Sequence, residues 1–445
     1  MSSDIITSAQ MTALLLFYAF MTATFQIPEV ALRIYCINAL GYEPSVYAMV
    51  TSTAIIPWSL KPLWGFWIDN LSYPRVTIGA CTAGFMACWL VIACDMATTP
   101  VSLASMLTLS SLFICILDVM ADAQTVKCVR NESNINLGKL QSKVWTVRAA
   151  GALVAAVVGG ALARYSSHDI VFLITACLIA PAGLSLALAN VSSPAVNCAQ
   201  THHKMKLLCS TLKKTEILRP CVFIFILSAV PSCYYALVVF MQTTLRFTPM
   251  QFAVVDACAH LAHIVGAQVY SKYLRHRSFR CIFYSGIVIL IVLRLLQLVL
   301  ILRLNVRAHI PDLVFCIAES VAFSIVSQVM MMPVCVLGAR LCPPGIEGSL
   351  YSTLMAVSNF GGFVASWTGA GLAEAFSVKQ QDFSHMWQLS VVCTAFTLIP
   401  VAFVQYVPHV APVRHPIGET NGSRHVGQHA LESQVHSDIH TEQNK

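Results

Sequence analysis

The chain has 445 residues, of which 57% are hydrophobic and 11% are charged, and its formal net charge at pH 7 is +7. Soluble globular proteins are about 45–50% apolar and about 25% charged. This composition therefore excludes an ordinary soluble enzyme and a nucleic-acid-binding protein that needs a basic face. The apolar residues occur in runs of roughly 20, the length that a helix needs to cross a ~30 Å hydrocarbon core. We therefore expect an all-α protein embedded in a lipid bilayer.

Hydropathy along the chain predicts twelve transmembrane helices, six in each half of the sequence. The first six spans lie at about 11–32, 46–64, 76–95, 102–123, 143–163 and 169–189. The last six spans lie at about 218–240, 250–270, 281–302, 312–337, 349–373 and 386–407. The parts that we expect are a first bundle at 1–190, a cytoplasmic linker at 191–217, a second bundle at 218–408 and a disordered cytoplasmic tail at 409–445. Two six-helix bundles joined by a linker resemble the major facilitator architecture.

The distribution of Lys and Arg predicts that both termini are cytoplasmic. If the termini share one side, that side holds 19 of the 27 basic residues and the opposite side holds six, with Arg33 among the six. Short loops rich in Lys and Arg remain in the cytoplasm. The sequence carries no visible organelle address, so the plasma membrane is the expected location. We expect a monomer, as is usual for this architecture.

Charged residues inside the predicted spans are the first candidates for function. A charge at the bilayer centre costs ~2.5–3.5 kcal/mol, so it is expected to face a cavity or a partner. The residues concerned are Glu29, Asp118, Asp122, Arg148, Asp256, Arg294 and Glu319. Four of the five acids lie on spans 1, 4 and 10, which line the central path of the major facilitator arrangement together with span 7.

Asp118 and Asp122 are four residues apart, so both carboxylates lie on one helical face. Two carboxylates this close hold a shared proton more readily than one alone, which suits proton coupling or substrate binding. The alternative is a buried ion pair, for instance between Asp122 and Arg148, that only stabilises the bundle.

A second constellation, Asp256, His260 and His263, also lies on one helical face. A proton relay or a metal site is possible there, but the span lies between the two bundles, which favours hydrogen bonds between them. Arg294 interrupts an otherwise apolar helix, and snorkelling towards the membrane interface is the simplest explanation for it.

The sequence has no C-x-x-C pair and no signature of a membrane enzyme. We therefore expect no catalytic residues, no resident metal and no cofactor.

Three segments resemble the folate-biopterin transporter family of the major facilitator superfamily. The first is P-W-x-x-K-P-x-x-G-x-x-x-D, which comprises Pro57, Trp58, Lys61, Pro62, Gly65 and Asp69. The second runs from Asp118 to Asp122 and on through Gly138 to Gly151. The third contains Pro343, Gly345, Glu347 and Asn359. The resemblance spans about 26–375 and therefore reaches both halves.

The resemblance implies a secondary active transporter that works by alternating access. Its expected activity is proton-linked symport of folate, biopterin or a related pterin. Chemistry adds candidate roles: one carboxylate of Asp118, Asp122 or Glu29 can accept two parallel hydrogen bonds from a pterin edge. Arg148 suits the carboxylates of a folate, and we expect the first motif to shape the cytoplasmic gate. Trp58 and Trp145 offer stacking faces or interface anchors. The alternatives are a carrier of another metabolite, such as S-adenosylmethionine, and a transport-dead sensor on the same fold.

Overall fold

The computed structural model describes residues 8–69, 71–130, 139–189, 210, 212–341 and 347–408. Within these ranges the chain is helical and contains no β-strand beyond one isolated bridge between Lys379 and Asp382. The first half contains α1 (Ser8–Ile34), α2 (Pro44–Ser52), α3 (Ile56–Ser59), α4 (Lys61–Asp69), α5 (Pro74–Ala93), α6 (Pro100–Arg130), α7 (Lys139–Tyr165) and α8 (His168–Leu188). The second half contains α9 (Thr215–Ser228), α10 (Tyr234–Thr243), α11 (Pro249–Val269), α12 (Phe279–Ile301), α13 (Leu304–Arg307), α14 (Asp312–Leu341), α15 (Glu347–Ala375), α16 (Met386–Phe396) and α17 (Ile399–Phe403).

Nine helical stretches of the described chain are long and apolar enough to cross a membrane. They are Ala9–Ala39, Pro74–Ala93, Pro100–Thr125, Thr146–Tyr165, His168–Leu188, Pro249–Leu274, Phe279–Ile301, Asp312–Val336 and Met386–Tyr406. Each coincides with one of the spans predicted from hydropathy. The expectation of an all-α integral membrane protein is therefore confirmed.

The other three predicted spans have a more complex structure. The span at 46–64 is divided among α2, a 3₁₀ turn at Thr53–Ile55, α3 and α4. Leu60 leaves the helical conformation between α3 and α4, where Pro57 and Pro62 each lack the N–H that a continuous helix needs. The span at 218–240 is interrupted between α9 and α10, around Pro231. The span at 349–373 forms the continuous α15, which is long enough but less apolar because of its Ser, Asn and Gly residues.

Helix packing follows the two halves of the sequence. In the first half α1 packs on α7 and α8, and α5 packs on α6 and α8. In the second half α11 packs on α14, α9 on α15, and α12 on both α14 and α16. The halves meet where α7 contacts α11 and where α15 contacts α2 and α3. An added Cβ at Gly160 would overlap Ala253, so the α7–α11 contact requires glycine.

The two halves are hydrogen-bonded to each other at one end of the molecule, which we call the far face because α1 ends there. The Ser45 hydroxyl donates to Glu374 at 2.9 Å. The backbone N–H of Gln380 donates to the Glu43 carboxylate at 2.6 Å, and its side chain donates to the Ile37 carbonyl at 3.0 Å. These contacts join the segment between α1 and α2, together with the first turn of α2, to the end of α15 and the loop that follows it. The near face is the opposite end, where α1 begins.

Candidate functional site

A cluster of four charged side chains lies in the first half, towards the near face. Lys61 of α4 donates to Asp118 of α6 at 2.5 Å and to Asp122 of α6 at 3.2 Å. Arg148 of α7 donates to the other oxygen of Asp118 and lies 3.7 Å from Asp122. The helix break at Leu60 brings the lysine to this position. Two carboxylates and two cations balance each other, which lowers the cost of burying them.

The two carboxylates of the cluster differ in exposure. The side chain of Asp118 is 0% exposed and is held between the two cations. The side chain of Asp122 is 49% exposed, and one of its oxygens accepts a hydrogen bond from the Tyr18 hydroxyl at 2.9 Å. The Tyr18 ring also lies beneath the guanidinium of Arg148, 4.4 Å from its centre. Asp122 is thus the carboxylate of the pair that water or a ligand can reach.

The sequence predicted Asp118, Asp122 and Arg148 as neighbours, and the structure brings them together. The ion pair between Asp122 and Arg148 is present but long, because Arg148 bonds mainly to Asp118. Sequence reasoning placed Lys61 in a separate gate and did not single out Tyr18. The signal for Lys61 was a basic residue inside the predicted span 46–64. No comparable signal marks a tyrosine in an apolar helix.

A second charged group joins the two halves. Arg33 of α1 donates to Glu29 at 3.3 Å and lies 3.8 Å from Asp256 of α11. The count of loop residues placed Arg33 outside the spans, and the structure corrects this, because Arg33 lies within α1 and its side chain is only 2% exposed. His260 hydrogen-bonds Gln26 of α1 at 3.0 Å. The prediction that this face of α11 makes hydrogen bonds between the bundles is therefore confirmed.

A cavity of about 260 Å³ lies between α10, α11, α12 and α14, and Arg33 of α1 also lines it. On the α12–α14 side, Gln297 donates to Glu319 at 3.0 Å. Arg294 lines the same cavity and donates to the carbonyl of Pro231 at 3.0 Å. The snorkelling explanation for Arg294 is therefore wrong, because its guanidinium is directed to a backbone carbonyl within the bundle.

The motif residues around Trp58 connect the halves midway through the molecule. The Trp58 indole donates to Ser111 at 2.8 Å, and the amide of Asn359 on α15 donates to the Trp58 carbonyl at 3.4 Å. The carbonyl of Pro57 accepts a hydrogen bond from the Trp64 indole at 2.9 Å. This network links the first motif to the third, which the sequence alone did not reveal.

A family model described as "BT1 family" matches residues 23–425 of this chain. The chain belongs to the BT1 family. The "Folate-biopterin transporter" of Synechocystis sp. (strain PCC 6803) is 30% identical over 409 residues, which cover 90% of this chain and 82% of that protein. The "Folate transporter 1" of Plasmodium falciparum is 24% identical over 386 residues, which cover 82% of this chain and 73% of that protein. The resemblance to folate-biopterin transporters is therefore confirmed.

Solved structures similar to this BT1 family member share its fold at low sequence identity. The nucleoside transporter NupG aligns with a TM-score of 0.67 at 13% identity, covering 90% of this chain and 99% of NupG. A D-xylose-proton symporter aligns with a TM-score of 0.61 at 14% identity, covering 90% of this chain and 97% of the symporter. The fold is thus that of major facilitator transporters. Together with the family, it identifies a membrane transporter and not an enzyme.

Several predicted motif residues of this BT1 family chain are only partly described or not described. Pro343 and Gly345 lie outside the described residues, and the side chains of Asp69, Trp145 and Glu347 do as well. Pro62 lies in the first turn of α4. At Gly65 an added Cβ would lie 3.9 Å from Val119, an ordinary contact, so space does not require a glycine there.

Among the residues that the structure describes, one group of side chains has the composition of a metal site. Asp95, His168 and Asp169 lie at the far face, and one potential ligand atom from each lies within 4.8 Å of the others. His168 contacts Asp169 at 2.7 Å, and Tyr35 donates to Asp95 at 2.7 Å. Sequence analysis did not identify this group, because Asp95 lies more than 70 residues before the adjacent pair His168 and Asp169.

Proposed function

We propose that this chain is a secondary active transporter that moves folate, biopterin or a related pterin across a membrane by alternating access, coupled to protons. The substrate class rests on its relatives in the BT1 family, two of which are named as folate or folate-biopterin transporters. The architecture in this proposal is twelve spans in two bundles at 1–190 and 218–408. The interrupted helices α2–α4 and α9–α10, together with α15, supply the three spans beyond the nine identified by length and hydropathy.

The observation that carries the proposed coupling is the unequal exposure of the two carboxylates in the four-charge cluster. Asp118 is enclosed by Lys61 and Arg148, so it is poorly placed to exchange protons with water. Asp122 is half-exposed and shares the same cations at longer distances. Protonation of Asp122 would leave the two cations with only one carboxylate. A change in the charge balance of a buried cluster is a suitable way to bias one conformation over another.

The hydrogen bonds at the far face support alternating access. They close the gap between the halves at that end, through Ser45 with Glu374 and Glu43 with Gln380. A transporter in this arrangement would load or release its substrate at the near face. The reverse state requires these bonds to break, and each is replaceable by water once the face opens.

The pterin ring would bind to an accessible carboxylate. Glu29 is 40% exposed and Asp122 is 49% exposed, whereas Asp118 has no free surface. Among the three acids predicted from sequence to accept the amino-pyrimidinone edge, we therefore favour Glu29, because Asp122 is the residue proposed to carry the proton. Glu319, which accepts a hydrogen bond from Gln297, is a further carboxylate facing the cavity.

The test is uptake by the purified protein in liposomes. We expect labelled folic acid, biopterin or both to accumulate when the pH outside the vesicles is lower than inside. Vesicles without the gradient, and vesicles without protein, are the controls. Equilibration without accumulation would retain the substrate class but exclude proton coupling. No entry of either compound, with the protein shown to be folded by its helical circular dichroism, would contradict the proposed function.

We also propose that the transporter is a monomer in the plasma membrane with both termini in the cytoplasm. The orientation rests on the excess of Lys and Arg in the near-side loops. A reporter fused after residue 445 should be protected from protease added outside intact cells. Cleavage of the reporter in intact cells would contradict the orientation.

A further inference from the structure

We propose that Arg33 is the group that receives the carboxylate of an anionic, folate-type substrate. This inference rests on the proposed function, since it assigns one part of the substrate to one part of the cavity. It transfers to Arg33 the role that sequence analysis gave to Arg148.

Arg33 is a buried cation with unused capacity to donate hydrogen bonds. Its side chain is 2% exposed and its Nε has no hydrogen-bond partner among the described residues. The guanidinium reaches Glu29 at 3.3 Å and Asp256 at 3.8 Å, both longer than a typical charge-assisted hydrogen bond of about 2.7–2.9 Å. Because both contacts are long, a substrate carboxylate that approaches the guanidinium can displace one of the two acids and form a closer bond.

Arg148 is in the opposite situation. It is bonded closely to Asp118, which is itself fully buried and also bonded to Lys61. A substrate carboxylate would have to displace Asp118 from both cations to reach Arg148. Arg148 is thus held in a close ion pair, whereas both ion pairs of Arg33 are long.

The surroundings of Arg33 suit a flat molecule with an anionic end. Arg33 lines the 260 Å³ cavity together with Tyr234 and Asp256. The ring of Phe252 lies 4.7 Å from the guanidinium, which keeps the planar group in place. When the substrate carboxylate occupies Arg33, Glu29 beside it is not available to the heterocycle. Gln297 of α12 and Glu319 of α14 line the same cavity and offer hydrogen bonds to the heterocycle in its place. The cavity therefore holds an anion receptor together with the polar partners that a pterin ring needs.

The position of Arg33 also connects substrate binding to the contact between the halves. Arg33 belongs to α1 in the first half, and Asp256 belongs to α11 in the second. A substrate carboxylate that bonds to Arg33 competes with Asp256 for the same guanidinium. Binding of an anionic substrate would thus weaken one ionic link between the halves, whereas an uncharged pterin would leave that link intact.

The experiment compares the affinities of folic acid and biopterin for purified variants at one pH and one ionic strength. For Arg33→Gln we expect the affinity for folic acid to fall about tenfold or more, the usual effect of losing a hydrogen bond to a charged group. The affinity for uncharged biopterin should change less than about threefold, within one ordinary hydrogen bond. Arg307→Gln, at an exposed arginine near the far face, is the matched control and should leave both affinities unchanged.

Two further variants guard against a simple folding defect. Arg33→Lys retains the charge but loses the planar fork, so it should retain part of the preference for folic acid. The double variant Arg33→Gln with Asp256→Asn removes one charge of each sign and should fold even if the single variant does not. It should show the same selective loss of folic acid binding. An equal loss for both ligands, or no loss for either, would overturn the role of Arg33 while the proposed function stands. Wild-type protein that binds neither ligand would overturn the proposed function itself.

Discussion

Removing one carboxylate from the four-charge cluster should have very different consequences at its two positions. Asp118→Asn leaves Lys61 and Arg148 sharing Asp122 alone, in a region where Asp118 has no exposed surface. Loss of one partner from a buried ion pair costs about 3–5 kcal/mol, because the remaining charge is uncompensated. We expect Asp118→Asn to lower the free energy of unfolding by an amount in this range.

Asp122→Asn should be far milder. Its side chain is 49% exposed and its ionic contacts are 3.2 Å and 3.7 Å long. Ion pairs of this kind contribute about 0–1 kcal/mol, since water screens them. The two isosteric substitutions therefore differ by about 3 kcal/mol, or about 100-fold in the unfolding equilibrium.

The assay is unfolding of the purified protein by SDS in mixed micelles, followed by loss of helical circular dichroism. The double variant Lys61→Met with Asp118→Asn restores equal numbers of positive and negative charges, so it should recover much of the stability lost in the single variant. Equal stability of Asp118→Asn and Asp122→Asn would refute the reasoning, because burial and pairing would then not decide the energetics of the cluster.

Three other predictions concern the remaining parts of the structure. Arg148→Ala should weaken binding of folic acid and biopterin to a similar extent, since Arg148 holds the cluster; a selective loss of folic acid would return the anion-receiving role to it. Glu374→Ala removes the acceptor for the Ser45 hydroxyl and so weakens the contact between the halves at the far face. Cys36 is 0% exposed, and a maleimide added on the far side should label it several-fold faster in this variant than in wild type. Glu374→Gln retains an acceptor oxygen and should behave like wild type. Deleting residues 409–445 should leave uptake in liposomes intact, and its loss would favour a sensor or regulatory role for the tail.

Much of the site was predictable because charge is costly in a bilayer and therefore conspicuous in an apolar sequence. The four-residue spacing of Asp118 and Asp122 placed both carboxylates on one face, and Arg148 was the natural counterion on the next span. The partnership of Lys61 required the helix break at Leu60, which no hydropathy window resolves. Because Lys61 bonds to both aspartates, the predicted gate and the predicted coupling site share one set of ionic bonds.

The error at Arg33 has a different origin. Hydropathy gives the ends of a span only to within a few residues, and an arginine at such an end is readily assigned to a loop. Its partner Asp256 lies more than 200 residues away, so only the packing of α1 against α11 reveals the pair. The interruptions around Pro57, Pro62 and Pro231 likewise follow from local backbone chemistry that an average over apolar residues does not contain.

The central claim is that substrate entry is coupled to protons through the four-charge cluster, and it can be measured without an imposed gradient. A pH-sensitive dye trapped in proteoliposomes reports protons that enter when biopterin is added outside. We predict acidification of the interior with wild-type protein, and none with Asp122→Asn even though that variant still binds biopterin. Entry of biopterin without any change in internal pH, or undiminished acidification with Asp122→Asn, would contradict the account.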